Sequence, residues 1–258
     1  MKNKGVKIFL YLIFIGLIAG SAVLLYYSMY TPQPTEELKD VAPEEIKVEE
    51  ADKSSIKIEA DTVKMSPDVD LVQEKRNHGN DDIIARLEIE DLFNVLVVKG
   101  ENNKFYLDHS IDRNYDYKGS TFADYRTDVD NNQINIYGHN SRDARIEVPF
   151  MRLEKFLEKD FFDAHPYIIF QYVGGKRVYK ITSIKEVVAS QNEHMKVTYT
   201  GQSFVNHVNI LKSGEGVIFQ RDVPFNAKSN IIVLQTCSHH LNNAFYIITG
   251  IQINYLEQ

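Results

Sequence analysis

The sequence holds a single cysteine, and its setting suggests chemistry. Cys237 nearly closes the apolar run Ile231-Ile232-Val233-Leu234-Gln235-Thr236-Cys237-Ser238, which reads as a strand with the thiol at its end. A strand end at the rim of a sheet fixes a side chain from below and leaves its tip open. The thiolate is the reactive form, so a nucleophilic Cys237 needs a base or cation beside it. Otherwise it is a small buried apolar residue, as free cysteine often is. Of eight histidines, His139 is the best candidate partner. It ends a second strand, in Ile136-Tyr137-Gly138-His139-Asn140, and Gly138 permits an unusual backbone angle or a close approach just before the ring. His239 and His240 follow the cysteine almost directly, and a loop could bring one of them near it. His165 suits a helix terminus, where an imidazolium complements the dipole. His78, His109, His194 and His207 have no chemical company and read as surface or internally satisfied residues. A metal site built from Cys237, His139 and His239 or His240 matches no strong ligand spacing and lacks a fourth ligand. Gly174-Gly175 and Gly214-Glu215-Gly216 read as turns, and no phosphate-cradling loop appears. No metal or cofactor is expected.

The elements that must position these residues are mostly strands. Residues 94–99, 133–137, 167–173, 176–188, 217–220, 230–235 and 245–253 read as at least seven of them, with Gly174-Gly175 as a two-residue hairpin turn. Residues 149–162 place Phe150, Leu153, Phe156, Leu157 and Phe161 on one face of an amphipathic helix, stopped by His165-Pro166. Residues 202–211 form a second, shorter helix. Many short strands, few helices and no βαβ rhythm give a mainly β fold, a mostly antiparallel sheet or barrel with a few peripheral helices.

Composition bounds the rest. The 258 residues are 43% hydrophobic and 25% charged with net charge −7, which is globular and excludes a wholly disordered or collagen-like chain. One cysteine excludes an intramolecular disulfide framework. The acidic balance argues against a nucleic-acid partner, which would need a basic face. The charge divides the chain into parts: residues 1–30 carry three lysines and no acid, residues 31–80 carry 13 acids against seven bases, and residues 81–258 carry 23 against 19. Residues 8–27 hold no charge, and 20 helical residues span roughly 30 Å, the thickness of a bilayer core. Apolar sequence continues past Ala19-Gly20-Ser21-Ala22, which favours an uncleaved anchor over a cleaved signal peptide. Lys2, Lys4 and Lys7 precede the span, so residues 1–7 are expected in the cytoplasm and the remainder outside the cell. Residues 28–80, acidic and poor in aromatics, read as an extended linker. Residues 81–258 read as one domain.

These residues resemble those of the sortase family, the cysteine transpeptidases of Gram-positive surfaces, and class B most closely. Tyr137-Gly138-His139-Asn140 is similar to the class B Y-G-H-N around the catalytic histidine, and Thr236-Cys237 to the T-C that holds the nucleophile. Phe105-Tyr106-Leu107 resembles an F-Y-L, and Gly119-Ser120-Thr121-Phe122-Ala123-Asp124-Tyr125-Arg126 resembles G-S-I-F-x-D-Y-R. The pattern from Phe150 to His165-Pro166, and a helix between the sixth and seventh strands, are also class B traits. The likeness covers about residues 81–256. It implies a sortase-like β-barrel, with Tyr137, Gln235 and Thr236 bordering the substrate. Cys237 thiolate would attack the Thr–X carbonyl of the sorting signal of a secreted protein. His139 would protonate the leaving amine, and an amine from a cell-wall precursor or a pilin would resolve the thioester. Ordinary pKa values near 8.5 and 6.5 leave most such Cys–His pairs neutral at pH 7.

One departure stands out. Sortases carry an arginine on the strand after the cysteine, eight positions on in class B, to stabilise the substrate carbonyl and oxyanion. Here Phe245 holds that place, and no lysine or arginine follows Cys237. Losing one oxyanion donor typically costs about 10²–10³ in rate. Substitutes are sought in His239, His240, Arg221, Arg142 and Arg145. The alternative is a descendant that binds sorting signals or surface proteins with impaired catalysis.

Overall fold

The computed structural model describes residues 63–143, 145–189 and 197–253. The expected membrane span at residues 8–27 lies outside them, and among the described residues no helix is long and apolar enough to cross a membrane. The described elements begin with helix α1 (Leu71–His78), then strands β1 (Ile83–Ile89), β2 (Phe93–Val98), β3 (Phe122–Ala123) and β4 (Gln133–Tyr137). A 3-10 segment (Pro149–Leu157) and α2 (Lys159–Ala164) lead to β5 (Tyr167–Tyr172) and β6 (Gly175–Val188). Helix α3 (Gly201–Lys212) precedes β7 (Val217–Gln220), β8 (Ile231–Ser238) and β9 (Ala244–Ile253).

The strands bond in the order β5-β1-β2-β3-β4-β8-β9-β6, and β6 pairs back onto β5. Eight strands thus close into a barrel, with β7 added outside on β6. Pairing is antiparallel except for β2–β3 and β4–β8. The second exception sets His139 and Cys237 side by side, because two neighbouring parallel strands end at the same rim.

The apolar run of β8 is continuous because both of its faces are covered. Ile232 and Leu234 point into the barrel with Leu87, Ile136, Phe170 and Ile248. Ile231 and Val233 face outward into a second core with Ile247 and with Phe204, Val208 and Leu211 of α3. Helix α3 starts at the capping box of Thr200 and Ser203. At its other end Lys185 Nζ donates to the carbonyls of Ile210 (2.9 Å) and Ser213 (3.1 Å). A cation there satisfies carbonyls that the helix cannot bond itself.

Three expectations are revised. Residues 149–162 are not one α-helix: the chain is 3-10 over Pro149–Leu157, extended at Glu158, and α-helical over Lys159–Ala164. Phe150, Leu153 and Phe156 recur every third residue, which suits three residues per turn, and all three are buried. The β5–β6 turn is Val173-Gly174, since Tyr172 pairs with Gly175; Gly174 supplies the positive φ of 90°. The packed chain also begins upstream of Asp81. Val63 and Leu71 are buried, and Asp70 caps α1 by accepting from Val72 N and Gln73 N. Ser66 N and Oγ donate to Glu88 Oε1, while the Pro67 carbonyl accepts from Arg86 Nη1 at 2.7 Å. Arg86 and Glu88 are themselves buried and paired at 2.9 Å. This stretch of the acidic linker serves as the lid on a buried ion pair.

Candidate active site

Strand β4 pairs with β8 in register up to Tyr137 and Gln235, so His139 and Cys237 each lie two residues past the last pair. Beyond that point two further bonds continue the pairing. Gly138 N donates to the Gln235 carbonyl at 3.3 Å, and Thr236 Oγ1 donates to the Gly138 carbonyl at 2.8 Å. Gly138 is needed for a close approach: a Cβ there would lie 2.5 Å from the Phe150 ring. Phe150 in turn stacks on Phe93, with ring centroids 5.6 Å apart. The segment before His139 therefore runs directly over a buried aromatic ring.

Cys237 is the exposed residue on a strand whose other members are buried. A cavity of about 210 Å³ opens at it, lined by Asn103, Leu107, Phe122, Tyr137, Gly138, His139, Gln235, Thr236, Cys237 and Phe245. His139 Nε2 lies 2.6 Å from the Leu107 carbonyl. A carbonyl only accepts, so Nε2 carries a proton. The surrounding protein displaces water from the Cys237 sulfur, and this desolvation pushes the thiol above its ordinary value.

The far wall is built on a buried carboxylate. Asp124 is fully buried and accepts from Asn103 Nδ2 (3.0 Å), Tyr137 Oη (3.1 Å) and both Nε (2.8 Å) and Nη2 (2.7 Å) of Arg126. Burial works against its charge, but the hydrogen bonds from Arg126 and Asn103 outweigh it and hold the carboxyl below its usual range. Burial, and then the Asp124 charge, raises the Tyr137 hydroxyl far above its ordinary value. It stays protonated and donates. Two wall residues are thereby oriented by one anion.

The expected site residues separate into two groups. His139, Cys237, Tyr137, Gln235, Thr236 and Phe245 all line the one cavity. Phe245 is the direct cross-strand partner of Cys237, and opposite residues on an antiparallel pair share a face. The substitution thus sits beside the sulfur. The expected replacements for arginine lie elsewhere. Arg221 donates to the carbonyls of Ile181 (2.7 Å) and Phe162 (2.6 Å) and lies over the Phe162 ring, 4.4 Å from its centroid. It braces the β6–α2 side, where both of its terminal nitrogens bond to backbone carbonyls. His240 Nδ1 meets Tyr246 Oη at 2.8 Å. His239 Nε2 is buried with no partner among the described residues, and the His239 carbonyl faces Arg142 Nη2 at 3.4 Å. Arg145 pairs with Asp143. None of these side chains lines the cavity, and among the described residues no lysine or arginine does.

Asn103, Leu107 and Phe122 complete the cavity, and sequence reasoning assigned them no part in it. Leu107 and Phe122 fall in motifs singled out above; Asn103, in a polar turn, gave no signal. Among the described residues no group of three or more His, Cys, Asp or Glu could hold a metal ion.

No protein-family model matches the chain. A curated relative, sortase B of Listeria monocytogenes, is 30% identical over 166 residues, covering 61% of this chain and 63% of that protein. The chain thus spans less than two thirds of that relative's length. The crystal structure of Clostridium perfringens sortase B superposes with TM-score 0.65 at 25% identity, covering 71% of this chain and all of that one. The Staphylococcus aureus sortase B–substrate complex gives TM-score 0.63 at 23% identity, with coverage of 71% and 84%. On sequence and fold together, the chain is similar to the class B sortases.

Proposed function

We propose that this chain is a cysteine transpeptidase acting on the C-terminal sorting signals of secreted proteins. The observation that carries the reading is the placement of Cys237 and His139 at the ends of adjacent parallel strands, lining one cavity. The Cys237 thiolate attacks the threonine carbonyl carbon of the Thr–X bond, forming a C–S bond. The C–N bond breaks as the His139 imidazolium gives its proton to the leaving amine. An incoming amine from a cell-wall precursor or a pilin then forms a new C–N bond. Its proton passes to His139 and the sulfur departs as thiolate. The solved complex of a sortase B with its substrate supports the choice of substrate class. Lys2, Lys4 and Lys7 before an uncharged stretch at residues 8–27 support a single-pass anchor with the domain outside the cell.

A second reading, a barrel that holds sorting signals with little turnover, is favoured by one observation. Phe245 stands opposite Cys237 where the family arginine would stabilise the oxyanion.

Intact-mass measurement of the full-length chain with a mixture of sorting-signal peptides, with and without an amine, separates the two. A peptide adduct that is absent from Cys237→Ala and released by amine supports the transpeptidase. A folded chain that binds peptide without forming an adduct supports the second reading.

A further inference from the structure

The strand pairing that sets the Cys–His spacing ends before either residue. Past Gly138 the chain from His139 to Val148 has no regular secondary structure among its described residues, so something else must hold the ring's backbone against β8. One side chain spans the gap. Asn140 Nδ2 donates to the Cys237 carbonyl at 2.9 Å and to Glu154 Oε1 at 2.8 Å. A primary amide has two N–H donors, and both are used here. Asn140 Oδ1 is buried without a partner, so the orientation is set by the donors alone. A flipped amide would aim a carbonyl at two acceptors. Glu154 sits on the 3-10 segment between Leu153 and Phe156, both of which are buried in the barrel core. It is therefore a firm anchor.

We infer that Asn140, braced by Glu154, is a positioning residue that ties the His139 backbone to the Cys237 backbone and holds the imidazole beside the sulfur. The inference rests on the transpeptidase reading, in which those two groups act together. Asn140 contacts neither the sulfur nor the cavity, so it acts through its neighbours.

The cavity allows a test that needs no substrate. With Phe245 in the arginine's place, His139 is, among the described residues, the one side chain lining the cavity that can become a cation. The other charged or ionisable groups nearby are His239 and His240, two and three residues after Cys237, with Glu154, Arg142 at the His239 carbonyl, Glu186 on Ser238 Oγ and the Asp124–Arg126 pair, and among the described residues none of them lines the cavity. A cation beside a thiolate speeds attack on anionic iodoacetate relative to neutral iodoacetamide. The ratio of the two Cys237 alkylation rates, followed by intact mass on the full-length chain from pH 8 to pH 5.5, therefore reads the imidazolium–sulfur proximity. In the unaltered chain the ratio is expected to rise about fivefold as pH falls, and to stay flat in His139→Ala. Asn140→Ala is expected to lose more than half of the rise. Glu154→Ala should lose part of it, and Glu154→Gln, which keeps an acceptor for the amide, should restore it. A residue that only stabilises the fold would leave the ratio unchanged.

A folded Asn140→Ala with the unaltered curve overturns the inference alone. If Asn140→Ala fails to fold, an unaltered curve in Glu154→Ala overturns it instead. A flat curve in the unaltered chain overturns both this inference and the Cys–His pair beneath the transpeptidase reading.

Discussion

Phe245 decides how Cys237 behaves. The exposed Cys237 keeps water on only part of its sulfur and faces an aromatic ring across the β8–β9 ladder, so nothing in its cross-strand position favours the charged form. Burial disfavours the thiolate, hence the thiol stays protonated to higher pH than an ordinary cysteine. Iodoacetamide alkylation of Cys237 is expected to be slow at pH 7 and to accelerate as pH rises beyond about 8.5, where unperturbed cysteines titrate. Phe245→Arg should move that rise to lower pH, because a guanidinium opposite the sulfur stabilises the thiolate. On the proposed transpeptidase reading it should also speed thioester formation with sorting-signal peptides by roughly ten- to a hundredfold, most of what one oxyanion donor supplies. An unchanged pH profile would mean that the new side chain points away from Cys237. This departure was visible in the sequence, because it is an identity at a counted position. That Arg221 could not replace the arginine was not visible, since its carbonyl partners lie 40 and 59 residues away.

At the scale of elements, legibility followed the simplicity of each element's surroundings. Strands β4 and β7 were read at their true limits, because each is a short apolar run between polar turns. Strand β1 was not read at all: Arg86 and Glu88 interrupt its apolar pattern, yet they are buried as a pair under residues 63–70. Only a partner distant in sequence makes those charges compatible with a strand interior. Strand β3, at two residues, is too short to leave a pattern. The 3-10 segment was mistaken for an α-helix because Phe150, Leu153 and Phe156 satisfy both periods over so short a length. The parallel β4–β8 contact had no local signature, yet it sets the candidate site. Its tightest point is Gly138 over Phe150, and there a methyl group does not fit. Gly138→Ala is expected to destabilise the domain by about 1–3 kcal/mol, as overpacking does. It should also lower thioester formation more than Phe150→Leu does, since it displaces the segment carrying His139. Thermal melts and adduct rates on the two variants check this.

For the whole molecule, the boundary drawn by composition at Asp81 differs from the one drawn by packing. Residues before 81 contribute Val63 and Leu71 to the described cores and cover the Arg86–Glu88 pair. A chain beginning at residue 81 loses two buried aliphatic side chains worth about 1.5–3 kcal/mol each. Its melting temperature is expected to fall by roughly 10 °C relative to a chain beginning at residue 63, at about 2–4 °C per kcal/mol for a domain of this size. Equal melting temperatures would show that the segment's contacts add nothing. The parallel pairing has a kinetic consequence as well. Thr236 and Gly138, which bond at the mouth of the cavity, are 98 residues apart in the chain. Closing so large a loop carries an entropic cost, so this contact is expected to form slowly. Until then Cys237 has no imidazole beside it and is expected to react as an isolated thiol, so the onset of paired reactivity is a clock for the pairing of β4 with β8.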